Sequence, residues 1–471
     1  MKKETENKIN GADSFSYPDP ALIPKSRHGI SPDQIDSNAR KVLTQLNEAG
    51  FAAYLVGGGV RDLYLGRTPK DFDISTEARP GQLRKLFRNS RTIGRRFRLV
   101  QVFFPGNEIL EVSTFRCRSE YDLDKKDQVL AANNTYGSMA DDAFRRDLTI
   151  NSLFYDLTTE EIIDYTGGVD DLKKGIVRLI GEPERRIIRD PARMLRVIRH
   201  AARSNFTVEE ETWQAIIKHR EEINLCPTSR VRDELFRDLS GTAGSKWLDL
   251  AVRSGLFFEI YPCYLYLLEN KEAGTKSLRD IMAVIDRLRQ KGCVLPEYIL
   301  LGLTLIPWAQ HHFPVLAEKQ KGLGAAYSLS RDIRDRLEQE MAHLNLKRAV
   351  RAQIAGLISR LPLFAAHDTG RNWPAHLKKK SYFSESSQFY LIYREALGGP
   401  EVQSVNFSEI RPRKARPAQK PEGRPAGGQP NGKRRRKTAG GPAFAPKDQE
   451  GGVFGLKKSE VRSQKSESKK K

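Results

Sequence analysis

Leu55–Ser75, LVGGGVRDLYLGRTPKDFDIS, constrains this chain more than any other stretch. It sets three glycines a short distance before two aspartates at i and i+2. Residues two apart on a strand share a face. Asp71 and Asp73 are therefore expected to present paired carboxylates, with Phe72 turned the other way into a core. Two adjacent carboxylates repel each other unless a cation lies between them. The pairing predicts a divalent metal site beside a phosphate-bearing substrate. A solvated strand end is the plain alternative.

Gly57, Gly58 and Gly59 fall between a short apolar strand, 51–56, and a helix starting near Val60. Glycine lets backbone approach a phosphate, and a helix N-terminus offers free N–H groups. Arg61 could reach the same phosphates. The spacing matches neither a P-loop nor a dinucleotide fingerprint, so the turn gains its meaning from the aspartates that follow. Glu111, in Ile109-Leu110-Glu111-Val112, alternates with apolar neighbours, and its strand could bring a third acid to the pair. Such a trio could hold two metals about 4 Å apart. An outward-facing acid on a half-exposed strand is the competing reading.

Two further clusters carry charge in a useful pattern. Arg145-Arg146-Asp147-Leu148-Thr149-Ile150-Asn151 offers two guanidinium groups beside an acid and an amide, suited to phosphate and ribose. Asp190 and Arg193 stand three apart at a helix start, an acceptor and a donor that could read a base edge. On spacing alone, a surface ion pair explains the second cluster equally well.

The wider chain fits an acidic partner. Net charge is +21 over 471 residues, and 19 basic against 5 acidic residues lie from Arg411 onward. Nucleic acid is the expected partner class. That terminal stretch, rich in Pro, Gly, Lys and Arg, reads as a disordered basic tail. The four cysteines, Cys117, Cys226, Cys263 and Cys293, lack paired spacing, which argues against zinc and disulfides and suits a reducing cytoplasm. No stretch has the roughly 18 apolar residues of a membrane span, and Met1–Asn10 lacks the apolar run of a signal peptide. We expect a soluble cytoplasmic protein without membrane contact.

The pattern predicts a small α/β head. Its expected strands are 51–56, 71–75, 98–104 and 109–115, the last two joined by a Pro-Gly-Asn turn; helices are expected over 31–48 and 80–88. From Pro183 the strand signal fades and helical spacing takes over, including 190–203, 213–217, 231–239, 247–252, 278–288, 299–305 and 337–361.

Taken in order, LVGGGVRD, KDFDIS, LEVSTFR, RRDLTINSLFYD and RDPARMLRVIRHAAR resemble the bacterial poly(A) polymerase and CCA-adding tRNA nucleotidyltransferase family (class II, polymerase-β-like superfamily) over residues 25–260. The resemblance implies an α+β nucleotidyltransferase head, a small mixed sheet with helices, followed by all-α neck and body domains. The expected division is a flexible N-terminus at 1–30, the catalytic head at 31–180, a nucleotide- and RNA-binding neck at 181–260, a body at 261–405 and the tail at 406–471. It implies template-independent transfer of a nucleoside monophosphate to an RNA 3′ end with release of pyrophosphate.

Carried over by position, Asp71 and Asp73 would hold two Mg²⁺ ions. Glu111 and Asp147 are the candidates for a further catalytic acid. Gly57, Gly58 and Arg61 would hold the triphosphate, Arg146, Asp147 and Asn151 would lie near the ribose, and Asp190 and Arg193 would face the base. The family's base-reading motif begins Glu-Asp, whereas Arg189 occupies its first position here. Ile93–Leu99, with its Gly-Arg-Arg-Phe, resembles the poly(A) polymerase branch, so ATP is the expected substrate and RNA 3′ ends the expected partner of a monomer. Asp122–Asn134 is expected to be mobile and to close over the primer. A CCA-adding enzyme and a non-catalytic RNA-binding protein are the alternatives.

Overall fold

The computed structural model describes residues 17–94, 99–117, 136–270, 274–317, 323–368 and 372–407. The Gly-Arg-Arg-Phe stretch beyond Gly94, the segment Asp122–Asn134 and the basic tail lie outside the described residues.

The head is one mixed sheet in the spatial order β1-β8-β7-β2-β3-β6-β5-β4. Its strands are β1 (Ala21–Ile23), β2 (Ala53–Val56), β3 (Asp73–Thr76), β4 (Ser90–Ile93), β5 (Leu99–Phe103), β6 (Ile109–Thr114), β7 (Leu153–Asp156) and β8 (Glu161–Asp164). The β3–β6 pair is parallel and every other neighbouring pair is antiparallel. Alternation sets the faces. On β6, Leu110, Val112 and Thr114 are buried while Ile109 and Glu111 are exposed. The β5–β6 hairpin turns at Gly106 and Asn107, both in the left-handed region at φ 85° and 63°, a conformation that glycine and asparagine adopt readily.

Helix α1 (Ser37–Glu48) is capped by Asp36, whose carboxylate accepts from the N–H groups of Asn38 and Ala39. It buries Ala39, Val42, Leu43 and Leu46 in the core. The expected single helix from 31 is thus two pieces, with a short 3-10 turn at Pro32–Gln34 before it. Helix α2 (Gly58–Tyr64) follows β2 directly, and α3 (Pro80–Leu86) follows β3. Helices α4 (Met139–Phe144) and α5 (Gly168–Lys174) complete the head.

Three differences from the sequence reading stand out. Ala21–Ile23 is an edge strand paired with β8, so the polar N-terminus enters the sheet. The aspartate strand begins at Asp73, which leaves Asp71 in the connection before it. The expected helix over 337–361 is broken: one helix ends at Glu340, a second spans Arg348–Ile358, and Asn345 between them takes φ 45°.

Beyond the head the described chain is helical, apart from a short parallel pairing of Thr207–Val208 with Ile176–Val177. It opens with α6 (Pro183–Arg189), α7 (Ala192–Ser204), α8 (Glu210–His219) and α9 (Thr228–Leu239). Its core is aromatic as well as aliphatic, with Trp247, Tyr261, Tyr264 and Trp308 fully buried. No helix among the described residues is long and apolar enough to cross a membrane.

Candidate active site

The sheet's register builds an acidic edge. Ile74 pairs with Val112 and Ser75 with Ser113, so one step earlier Asp73 stands beside Glu111 on the same face. The two serines meet hydroxyl to hydroxyl at 2.8 Å. Glu111 is steadied by Gln101 on β5, whose amide donates to it at 3.1 Å. Asp73 is open to solvent, yet the protein packed around it desolvates its carboxyl. That desolvation and the neighbouring Glu111 raise its pKa, Asp71 adds to the rise, and Arg146 offsets part of it. Asp71 lines an adjoining cleft together with Asp73 and Glu111.

The glycine turn lies against this edge. Gly57 adopts φ 72° and donates its N–H to the Leu153 carbonyl at 3.1 Å. A Cβ on Gly57 would lie 3.3 Å from Arg146 Nη1, and one on Gly59 would lie 3.4 Å from the Asp71 carbonyl oxygen. An arginine thus crowds the turn at Gly57 and a backbone carbonyl crowds it at Gly59.

Opposite the acids stands a wall of arginines, in a cleft of about 610 Å³ lined by Gly57, Gly58, Arg61, Asp73, Glu111, Arg116, Arg145, Arg146, Asp147, Asn151, Asp190, Arg193, Arg196, His200 and Arg230. Buried Asp142, at the end of α4, ties two of these arginines together: Arg145 reaches it at 2.5 Å and Arg146 at 2.8 Å. Arg146 also donates to Ser75 at 3.3 Å, linking the wall to the aspartate strand. Burial, with Arg145 and Arg146 close by, pulls Arg116 down to about 10, although Asp142 works the other way. Asp142 thus holds two guanidinium groups side by side, an arrangement of the kind that binds a polyanion.

The far wall is the start of the helical part. Asp190, which caps the end of α6, is 7% exposed, and its Oδ2 accepts from Arg230 of α9 at 2.5 Å. Arg193 lies 3.8 Å from the same oxygen and donates to the Arg186 carbonyl at 2.6 Å. Asp190 Oδ1 is buried with no hydrogen-bond partner, an acceptor poised for a ligand's donor. Asp147 bonds to Arg196 of α7. Burial opposes its ionisation, but Arg196 and Arg193 hold it well below the usual carboxylate range. Asp147 is thus ion-paired with Arg196 in the same cleft as Asp73 and Glu111.

Of the residues singled out from sequence, Gly57, Gly58, Arg61, Asp73, Glu111, Arg146, Asp147, Asn151, Asp190 and Arg193 all line this one cleft, with Asp71 on its neighbour. Sequence reasoning missed Arg116, Arg196, His200 and Arg230. Arg193, Arg196 and His200 recur at i, i+3 and i+7 on α7, a one-face stripe that could have been read. Arg230 arrives from a separate helix and carries no local signal.

The family comparisons agree with this architecture. Residues 53–178 match the model of the Poly A polymerase head domain, and residues 205–267 that of the probable RNA and SrmB-binding site of polymerase A. Residues 53–178 are thus similar to poly(A) polymerase head domains. Poly(A) polymerase I of Escherichia coli O6:H1 is 44% identical over 304 residues, covering 62% of this chain and 65% of its own length. Poly(A) polymerase I of Salmonella typhi is 41% identical over 307 residues, with the same coverage. The match therefore spans just under two thirds of these relatives. The Bacillus stearothermophilus CCA-adding enzyme, solved in complex with CTP, shares the fold at TM-score 0.56 and 24% identity, over 78% of this chain and 80% of that one. The stretch similar to the Poly A polymerase head domain contains the glycine turn, Asp73, Glu111, Arg116, Arg145 and Arg146.

Proposed function

We propose that this chain is a template-independent adenylyltransferase that joins AMP from ATP to RNA 3′ ends and releases pyrophosphate. The observation that carries the reading is the single cleft in which the Asp73–Glu111 edge faces the arginine wall across the glycine turn. An acidic edge alone would be a metal site and an arginine wall alone an anion site; facing each other, they suit a metal-bound triphosphate.

The acids fit Mg²⁺. Crowding raises the Asp73 carboxyl, so a cation there relieves an existing repulsion. Among the described residues no three acids, histidines or cysteines converge tightly enough to bind one ion alone. Mg²⁺ habitually takes one or two carboxylates and completes its shell with water and substrate phosphates, which matches an edge of this kind with Asp71 alongside. Bound there, Mg²⁺ supplies charge for the reacting phosphate and acidifies the attacking hydroxyl.

The chain's own groups do the positioning. Arg61, Arg145 and Arg146, with the Gly57–Gly58 turn, hold the triphosphate. The orphaned Asp190 Oδ1 accepts from the exocyclic amino group of the base, while Arg193 donates to the adjacent ring nitrogen. An acceptor at that point selects an amino base over a keto base, because a carbonyl there would leave two acceptors facing each other. The Arg230 contact fixes which carboxylate oxygen is offered.

Purified protein should be given Mg²⁺ with each labelled nucleotide in turn, on a generic RNA and on a tRNA lacking its CCA end. We expect long runs of AMP on both substrates. A stop after three additions, confined to the tRNA, would show CCA addition instead.

Two further outcomes follow. Gly57→Ala places a methyl group 3.3 Å from Arg146 Nη1 in a backbone held at φ 72°. We expect it to raise KM for ATP on the order of tenfold, at about 1–2 kcal/mol of strain and displaced arginine, measured by initial rates across ATP concentration. Deleting the residues after Phe407 removes a strongly basic segment with 19 basic and 5 acidic residues from Arg411 onward. We expect weaker RNA binding and a shallower dependence of affinity on salt; an unchanged slope would show that the tail does not touch RNA.

A further inference from the structure

We infer that His200, with Asn151, forms a two-donor seat for one oxygen atom of the bound nucleotide; the inference rests on the nucleotide reading above and adds a residue to which that reading gives no role. The argument is a count of protons. Arg61 Nη1 donates to Asn151 Oδ1 at 2.6 Å and faces His200 Nδ1 at 3.2 Å. A guanidinium has no acceptor, so Nδ1 must accept, and the neutral ring then carries its proton on Nε2. That N–H faces the Asn151 side-chain amide nitrogen, Nδ2, at 3.3 Å. Nδ2 is a donor as well. Two donors confront each other with no acceptor between them.

Neither turning the amide nor protonating the ring removes the conflict. Turning the Asn151 amide would give His200 an acceptor, but it would set the NH₂ group against Arg61 Nη1 at 2.6 Å, a worse clash of donors. Protonating His200 would add a donor toward Arg61. The surroundings oppose it as well: burial and Arg61 push the ring pKa well below its usual value, Arg196 and Arg199 of its own helix act the same way, and Asp147 is the one acid working against them. Arg61 is fixed from its other side by Asp62, which takes Nε at 2.9 Å and Nη2 at 2.8 Å. The trio is therefore short of one acceptor, and all three residues line the cleft. An oxygen bridging His200 Nε2 and Asn151 Nδ2 satisfies every proton.

A nucleotide offers such an oxygen on its ribose hydroxyls or its phosphates. The test measures binding of ATP, 2′-deoxyATP, 3′-deoxyATP and inorganic tripolyphosphate to the full chain by calorimetry. His200→Phe keeps a ring of similar size without nitrogens, and we expect about a tenfold loss of ATP affinity, the value of one good hydrogen bond in a buried site. His200→Gln retains an acceptor and a donor and should recover most of it. If the seat takes a ribose hydroxyl, the variant loses its preference for ATP over one deoxy analogue and binds tripolyphosphate normally. If it takes a phosphate oxygen, all four ligands weaken together.

Asn151→Asp is the independent check, and it answers even if the Phe variant melts. A carboxylate accepts from both Arg61 and His200 Nε2, so the missing acceptor is supplied from within. The melting temperature should hold or rise while ATP affinity falls about tenfold. Unchanged ATP affinity in both His200→Phe and Asn151→Asp overturns the inference, as does a Gln variant no better than Phe. A wild-type chain that binds none of the four ligands overturns the nucleotide reading too.

Discussion

Asp73→Asn is expected to abolish AMP incorporation while RNA affinity stays within about twofold. The substitution keeps the shape of the side chain and removes one charge from the edge shared with Glu111. A carboxylate that holds a catalytic cation contributes several kcal/mol to the transition state; at about 1.4 kcal/mol per tenfold, that is on the order of a thousandfold in kcat. Stability should not suffer. Desolvation and Glu111 already disfavour the charged form of Asp73, so neutralising it relieves repulsion, and the melting temperature should hold or rise slightly. The combination is diagnostic. A misfolded variant loses RNA binding and melting temperature together with activity. A variant that keeps more than a tenth of the wild-type rate would remove Asp73 from the site and leave the arginine wall without its counterpart.

Much of this cleft is legible in the sequence, because short-range rules place its central parts. Strict alternation puts Glu111 on the opposite face from Leu110 and Val112, and a glycine turn between strand and helix is a local feature. What local rules do not show is which strands meet. The parallel pairing of β3 with β6, which brings Asp73 to Glu111, joins residues far apart in the chain. The polar N-terminus looks unfit for a strand, yet Ala21–Ile23 finds an edge that β8 leaves open. Asp71 was assigned to the strand on its i, i+2 spacing from Asp73, but pairing with β2 starts only at Asp73, opposite Val56. Asp147 illustrates the same limit: its motif marks it as an acid for catalysis, whereas a helix some fifty residues onward supplies Arg196 as its partner. The stripe of Arg193, Arg196 and His200 could have been read from α7 alone. Arg230 could not, since only the packing of α9 against α7 brings it to Asp190.

Arg199→Met is expected to be the most destabilising single change near the cleft, at about 3–5 kcal/mol, because it strands buried charge. Arg199 sits on α7, one residue before His200, with its side chain 9% exposed. It bonds to Glu234 and Asp238 of α9, which are 5% and 4% exposed. Methionine fills much of the volume, but it leaves two carboxylates without their cation. Burial already pushes the Asp238 carboxyl up to about 7 despite the guanidinium beside it. Without Arg199 that pKa rises further. A carboxyl whose folded pKa exceeds its unfolded value contributes fully below the unfolded pKa and loses that contribution as pH rises through the folded one. Below about pH 7 the Asp238 carboxyl is protonated in both folded proteins, so the deficit of the variant should widen as pH rises above about 7, measured as the melting-temperature difference from wild type. A deficit that is constant with pH would mean that packing, and not the stranded acids, carries the effect. Because α7 also presents Arg193, Arg196 and His200 to the cleft, and α9 presents Arg230 to Asp190, loosening this joint should raise KM for ATP at temperatures where the protein is still folded. The ion triad thus links the stability of the helical part to the precision of the base-facing wall.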